Sequence, residues 1–185
     1  WSSDVCSSDL EMELKTQRLK IRFIEEKDWK SLIAIWDDFN RSRYVKYDVP
    51  HTTSESEVRE KAKRWATVSP QKEHMFFAVC IGDEMIGYID FHQNQNGYEC
   101  GYCFHSKFHG KGYAKESMQA LMEWISKKGK TRFIAGTALN NLPSVKLLES
   151  LGFVKINEEQ VSFYKDDHND NIFFTGGIFA FETKG

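Results

Sequence analysis

Phe108-His109-Gly110-Lys111-Gly112-Tyr113-Ala114 separates two segments of different period. Before it, residues 98–105 read as a strand. After it, Ala114, Met118, Leu121, Met122 and Ile125 recur at helical spacing. Two glycines at a strand-to-helix junction let the backbone turn tightly and approach a ligand without Cβ obstruction. The first amides of the helix have no carbonyl before them, and the helix dipole favours an anion there. A pyrophosphate suits that geometry, with the Lys111 charge at its edge. The loop lacks the Gly-Lys-Ser/Thr ending of a phosphate loop, and it is not the longer dinucleotide fingerprint. Taken alone, it says little more than a turn before a helix.

Working outward, residues 19–24 alternate apolar and charged, which predicts a half-buried strand. Trp29, Leu32, Ile33, Trp36 and Phe39 then predict a helix. Ser54 with Glu57 reads as a capping box for a second helix whose buried face carries Val58, Ala62 and Trp65. Residues 40–53, polar and containing Pro50, form the loop between them. Residues 75–81 and 85–91 flank Gly82-Asp83 as a hairpin, and 94–97 make the next turn. Beyond the glycine loop, Gly129 ends its helix and 132–136 is a short strand. Leu142-Pro143 opens a helix with Val145, Leu148 and Leu151 inward, and Gly152 stops it. The tail, 153–181, holds several short β-like runs. The order βααβββαβαβ(β) predicts a single α+β, or mixed α/β, domain.

With 185 residues, 41 % hydrophobic and 28 % charged, the chain can bury one full core. A net charge of -2 gives no basic surface for nucleic acid, and no apolar run reaches the length of a membrane span. Cys6, Cys80, Cys100 and Cys103 are too few and too uneven for a disulfide framework, which points to the cytoplasm. Residues 1–11 are Ser/Asp-rich without the charge or apolar stretch of a signal peptide. They read as a non-native leader ahead of a domain spanning 12–185.

Taken in order, Glu99-Cys100-Gly101-Tyr102-Cys103-Phe104, the glycine loop, Asn141-Leu142-Pro143-Ser144 and Leu151-Gly152-Phe153 resemble the GNAT superfamily of N-acetyltransferases. The likeness runs from about Met12 almost to the end. It is nearest to the branch that contains the RimJ/RimL-like ribosomal-protein N-terminal acetyltransferases.

The resemblance implies acetyl-CoA as co-substrate, no metal, and a gap between two splayed parallel strands, 98–105 and 132–136. His109, Gly112 and Ala114 fill the family's pyrophosphate-loop positions, with Gly110, Lys111 and Tyr113 between them; His109 stands where the family has Gln or Arg. Cys103, Phe104 and His105 match the strand whose backbone pairs with pantetheine. Asn141 matches the asparagine near that arm, and is read equally well as a helix cap. By analogy with look-alike families, a homodimer is one expected assembly.

An amine of ordinary pKa is protonated at neutral pH, so its acetylation needs a base. The developing oxyanion needs a donor, and the two reactants need to be held together. Glu99 matches the family's base and is otherwise an exposed strand carboxylate. The family's usual acid, a tyrosine on the helix after Asn141, is replaced by Leu148, which cannot donate. Ser144, one turn earlier, is the substitute that the resemblance offers. Trp36, Asp37, Asp38, Tyr44, Tyr47 and Tyr98 are candidates for the acceptor side, where carboxylates and aromatics suit an ammonium.

Cys100 and Cys103, three apart on a strand, point to opposite faces and make a poor metal or redox pair. The six histidines lack ligand spacing. Residues 166–170 read as a polar hairpin turn, without the glycine and closing glutamate of a calcium loop. The rival readings are a CoA-binding module that has lost turnover, which Leu148 favours, and a nucleotide-phosphate enzyme, which the missing metal carboxylates oppose.

Overall fold

A computed structural model describes residues 12–183; the expected leader, 1–11, lies outside the described residues. One mixed sheet organises the chain. Its eight strands are β1 (Glu13–Lys15), β2 (Lys20–Phe23), β3 (His74–Ile81), β4 (Glu84–Asn94), β5 (Gly97–Phe104), β6 (Arg132–Ala138), β7 (Val154–Lys165) and β8 (Asn171–Glu182). They lie in the order β1-β2-β3-β4-β5-β6-β8-β7. The helices are α1 (Trp29–Asn40), α2 (Glu55–Val68), α3 (Tyr113–Ile125) and α4 (Leu142–Ser150). This is the mixed α/β architecture that the sequence predicts, with the parallel β5–β6 neighbours that the resemblance implies.

Strand alternation gives the sheet two buried faces. On one face Phe77, Ile89, Phe91 and Phe133 pack with Met118 and Leu121 of α3 and Leu148 of α4. On the other, Phe76, Ala78 and Tyr88 pack with Leu32, Ile35 and Trp36 of α1 and Val58, Ala62 and Trp65 of α2. Arg22 donates two hydrogen bonds to buried Asp28, at 2.7 and 2.8 Å, and Asp28 also accepts the Glu25 N–H, tying β2 to the start of α1.

Three local expectations change. Ser54 precedes α2 without capping it, because its hydroxyl pairs with Ser56 at 3.2 Å instead. The short runs of the tail are two strands of twelve residues each, β7 and β8. They are joined by the polar turn at 166–170, where Asp166 Oδ1 accepts the N–H groups of His168 and Asp170. β1, three residues long, extends the sheet beyond the predicted first strand.

The decisive feature is a split in the sheet. β5 pairs with β4 along its whole length, to Phe104, and β6 pairs with β8 to Ala138. Between each other, β5 and β6 pair at two positions alone, Tyr98 with Phe133 and Glu99 with Ile134. Past that point each strand follows its outer partner, and a wedge opens within the sheet.

Candidate active site

β5 supplies both walls of chemistry because its side chains alternate. Tyr98, Cys100, Tyr102 and Phe104 face α3 and α4, whereas Cys103 packs toward α1 and α2, the side to which Glu99 also points. Cys100 and Cys103 therefore lie on opposite faces as free thiols. No grouping of three or more His, Cys, Asp and Glu suited to a metal occurs among the described residues.

Glu99 is exposed, at the last paired position before the wedge, and lies across from His92 of β4. Asp90 and His92 share its face. His92 Nε2 lies 3.0 Å from Asp90 Oδ1, and its Nδ1 lies 3.0 Å from Nδ1 of His74. The hydrogen bond that His92 donates to Asp90 raises the His92 pKa, against the effect of burial, and Glu99 adds to it. Gly101 makes room for this group: a Cβ there would meet Asp90 Oδ1 at 2.8 Å. Near the same mouth, burial pushes the Cys103 thiol up to about 12, and Asp38, Asp48 and Asp90 reinforce the shift.

The glycine loop sits at the α3 side of the wedge. Gly110 and Gly112 have φ of 72° and 80°, the left-handed region that glycine tolerates. The main-chain bond from Glu116 N–H to Gly112 O, 3.0 Å, begins the α3 ladder, so the amides of Tyr113, Ala114 and Lys115 have no helical carbonyl before them. A Cβ on Gly110 would meet nothing within 4 Å, so the outer side of the turn is open. These amides and Lys111 fit a pyrophosphate.

Arg18, which the sequence reading missed, fixes that loop. Its Nη1 donates to Lys111 O at 2.9 Å, its Nε to Glu116 Oε2 at 2.7 Å, and its guanidinium lies 4.6 Å over the Tyr113 ring. Burial raises the Glu116 pKa, but hydrogen bonds from Thr16 and Arg18 outweigh it and hold the carboxyl below its usual value. No spacing rule links a residue in the first β-turn to a helix almost a hundred positions later.

His109 is exposed, and its Nε2 lies 2.7 Å from Phe104 O, so one ring nitrogen is engaged in bracing the loop. His105 Nδ1 accepts the Lys107 N–H at 3.2 Å and caps the short turn after β5. Asn141 is the cap of α4, its Oδ1 accepting from Ser144 N–H at 3.4 Å. Leu148 is completely buried and is part of the core. One turn before it, Ser144 Oγ lies 2.7 Å from the hydroxyl of Tyr102. Tyr102 reaches it from β5, a contact that no local sequence pattern signals.

The acceptor-side candidates divide. Trp36 is fully buried, its indole N–H donating to Tyr88 at 3.1 Å, so it builds the core and faces no acceptor. Tyr98 stacks beside Phe133 on the α3 side, opposite Glu99. Asp38 accepts from the N–H and hydroxyl of Ser106, both at 2.7 Å, and anchors the loop after β5. Asp37 pairs with Arg41 on the surface. Tyr44 is half-buried and accepts a hydrogen bond from Arg43. Tyr47 meets Phe174 of β8 edge-on at 5.3 Å. Beside it, the Tyr164 hydroxyl of β7 reaches the carbonyls of Val45, at 2.9 Å, and Asp48. The α1–α2 loop and the β7–β8 hairpin thus meet in an arch on the Glu99 side.

Residues 18–154 match the family model described as the acetyltransferase (GNAT) domain. The chain belongs to the GNAT acetyltransferases. As such it is an acetyl-CoA-using transferase. It is 31 % identical over 146 residues to the uncharacterized N-acetyltransferase YnaD of Bacillus subtilis (strain 168), covering 76 % of this chain and 82 % of that one. A crystal structure of a GNAT-family acetyltransferase from Bacillus anthracis superposes with a TM-score of 0.71 at 28 % identity, covering 92 % of this GNAT chain and 98 % of that one. The ribosomal L7/L12 α-N-protein acetyltransferase RimL, in complex with coenzyme A, shares the fold with a TM-score of 0.76 at 18 % identity, over 91 % and 97 % of the two chains. No helix among the described residues is long and apolar enough to cross a membrane.

Proposed function

We propose that this protein transfers the acetyl group of acetyl-CoA to a primary amine, a protein N-terminus or a small amine, by direct attack with both substrates bound. The observation that carries the reading is the coincidence of Glu99 with the fork where β5 and β6 part. A carboxylate there meets an amine arriving from the α1/α2 side, while the open amides of α3 lie on the other. Gly110, Lys111, Gly112, Tyr113 and Ala114 hold the pyrophosphate, and the free inner edge of β5 through Cys103 holds the pantetheine arm. Bound there, acetyl-CoA supplies the activated acyl carbon.

Glu99 takes the amine proton, directly or through water, a role typically worth about 10²–10⁴-fold in rate. Asp48 and Asp90, close to the same mouth, favour a cationic acceptor over an anionic one. Tyr47 and Tyr164 hold the arch that borders the acceptor. Likeness to the RimL enzyme in fold supports a protein N-terminus among the acceptors. The unpaired thiols of Cys80, Cys100 and Cys103 suit a reducing compartment, so we assign the reaction to the cytoplasm.

The second reading, a CoA-binding module without turnover, draws on the burial of Leu148 in place of an acid. Thermal-shift titration with acetyl-CoA, CoA, ATP and NAD, followed by thiol release over a panel of amines, separates the two. Stabilisation by the CoA species together with thiol release supports transfer. Stabilisation without release from any amine favours the module, and no shift with either CoA species sinks both.

A further inference from the structure

Two hydroxyls 2.7 Å apart share one hydrogen between them and leave one to point elsewhere. A phenol is more acidic than an alcohol and is the better donor, so Tyr102 gives and Ser144 receives. Ser144 sits in the first turn of α4, with no helical carbonyl four residues back to accept its hydrogen. Ser117 and Ser69, by contrast, turn back onto Tyr113 O and Trp65 O, both at 2.7 Å. The Ser144 hydrogen is therefore the one left over, at the positive end of the α4 dipole. Leu148, one turn on, offers no competing donor.

We propose that Tyr102 is a positioning residue: by donating to Ser144 Oγ it directs the serine's own O–H at the sulfur that departs from the acetyl group. The inference rests on the acetyltransferase reading above. In the transfer, the amine nitrogen bonds to the acyl carbon and the carbon–sulfur bond breaks with its electron pair on sulfur. The amine proton goes to Glu99. Nothing is oxidised or reduced. The Ser144 hydrogen stays on oxygen and stabilises the thiolate, which takes a proton from solvent on release. Burial raises the Tyr102 pKa above that of an ordinary phenol, so the donor persists across the working pH range.

The direct readout is the ionisation of the thiol of bound CoA, followed by its ultraviolet thiolate absorbance. In the wild-type binary complex the thiol ionises at a lower pH than in free CoA. Tyr102→Phe and Ser144→Ala each lower the thiolate fraction at a fixed pH about tenfold, the scale of one hydrogen bond to a charge. Each also lowers kcat about tenfold, with CoA affinity at low pH, where the thiol is neutral, within about threefold of wild type. The double variant is no worse than Ser144→Ala, because Tyr102 acts only through the serine.

If Tyr102→Phe folds poorly, Ser144→Ala, which leaves the strand untouched, reads the same titration. A thiol titration unchanged in a folded, CoA-binding Tyr102→Phe protein overturns the inference and leaves the transferase reading standing. An unchanged titration in Ser144→Ala, or additive effects in the double variant, does the same. No CoA binding by the wild-type chain removes both.

Discussion

Glu116 accepts hydrogen bonds from the Arg18 side chain at 2.7 Å and from the Arg18 main chain at 3.1 Å, so the first β-turn grips the first turn of α3. The grip leaves the helix amides free, since it uses the carboxylate of Glu116 and the carbonyl of Lys111. It also offsets a negative charge that would otherwise oppose a pyrophosphate at the same helix end.

Arg18→Ala is expected to loosen the loop without unfolding the core. The pair is partly exposed, 42 % and 20 % for the two side chains, so the loss is about 1 kcal/mol. CoA affinity measured by calorimetry should fall about fivefold, a change of the same 1 kcal/mol size. Unchanged affinity would mean that the loop holds its shape without Arg18.

Glu99→Gln keeps the size of the side chain and removes its basicity. The expected outcome is a fall in kcat of about 10²–10⁴-fold, with acetyl-CoA affinity preserved. Steady-state thiol release and a binding titration on the same preparation separate the two quantities. A wild-type kcat in this variant would assign the base elsewhere on that face, with His92 next to be substituted.

The Tyr164 hydroxyl joins the hairpin to the α1–α2 loop, and a neutral hydrogen bond is worth about 0.5–1.5 kcal/mol. Tyr164→Phe should open the arch, raise KM for the amine several-fold and leave the acetyl-CoA KM as it was. Equal effects on both substrates would mean that the arch borders the cofactor instead.

His92 faces Asp90, Glu99 and His74, with the Phe76 ring beside it. Its pKa is raised on folding from an ordinary 6.5. A raised pKa contributes stability in full below that ordinary value, and the contribution is lost as pH rises through the folded value. The difference in melting temperature between wild type and His92→Asn should therefore be largest below pH 6.5 and shrink above it. A gap that is constant with pH would show that the imidazole contributes by packing alone.

How much of this was legible follows from where the signals lie. The glycine turn rests on local sequence, whereas the split strands and the interest of Glu99 and Ser144 come with the family resemblance; in the structure Glu99 stands at the fork of β5 and β6, and Ser144 meets Tyr102 of β5. Tyr102 lay inside a quoted motif, yet its partner is 42 residues away and on another element. Trp36 sits on the same helical stripe as Leu32, and that stripe already marks it as core. The full length of β7 is not legible because its residues are exposed on both faces through most of its length, which erases the alternation that reveals a strand. Ser54 carried a capping pattern, and a nearby serine hydroxyl took its bond.

A sheet that opens in its middle has two unpaired edges turned toward each other, sheltered from other chains. A third strand would need about 4.8 Å of clearance on each side along its length. A wedge that closes at Glu99 and Ile134 cannot provide that at its narrow end. Of the two outer edges, β1 is three residues long and β7 carries Lys155, Glu158 and Glu159 on its surface. The protein can thus keep bare backbone at its centre, available to a slender amide-bearing molecule, without offering a template for aggregation.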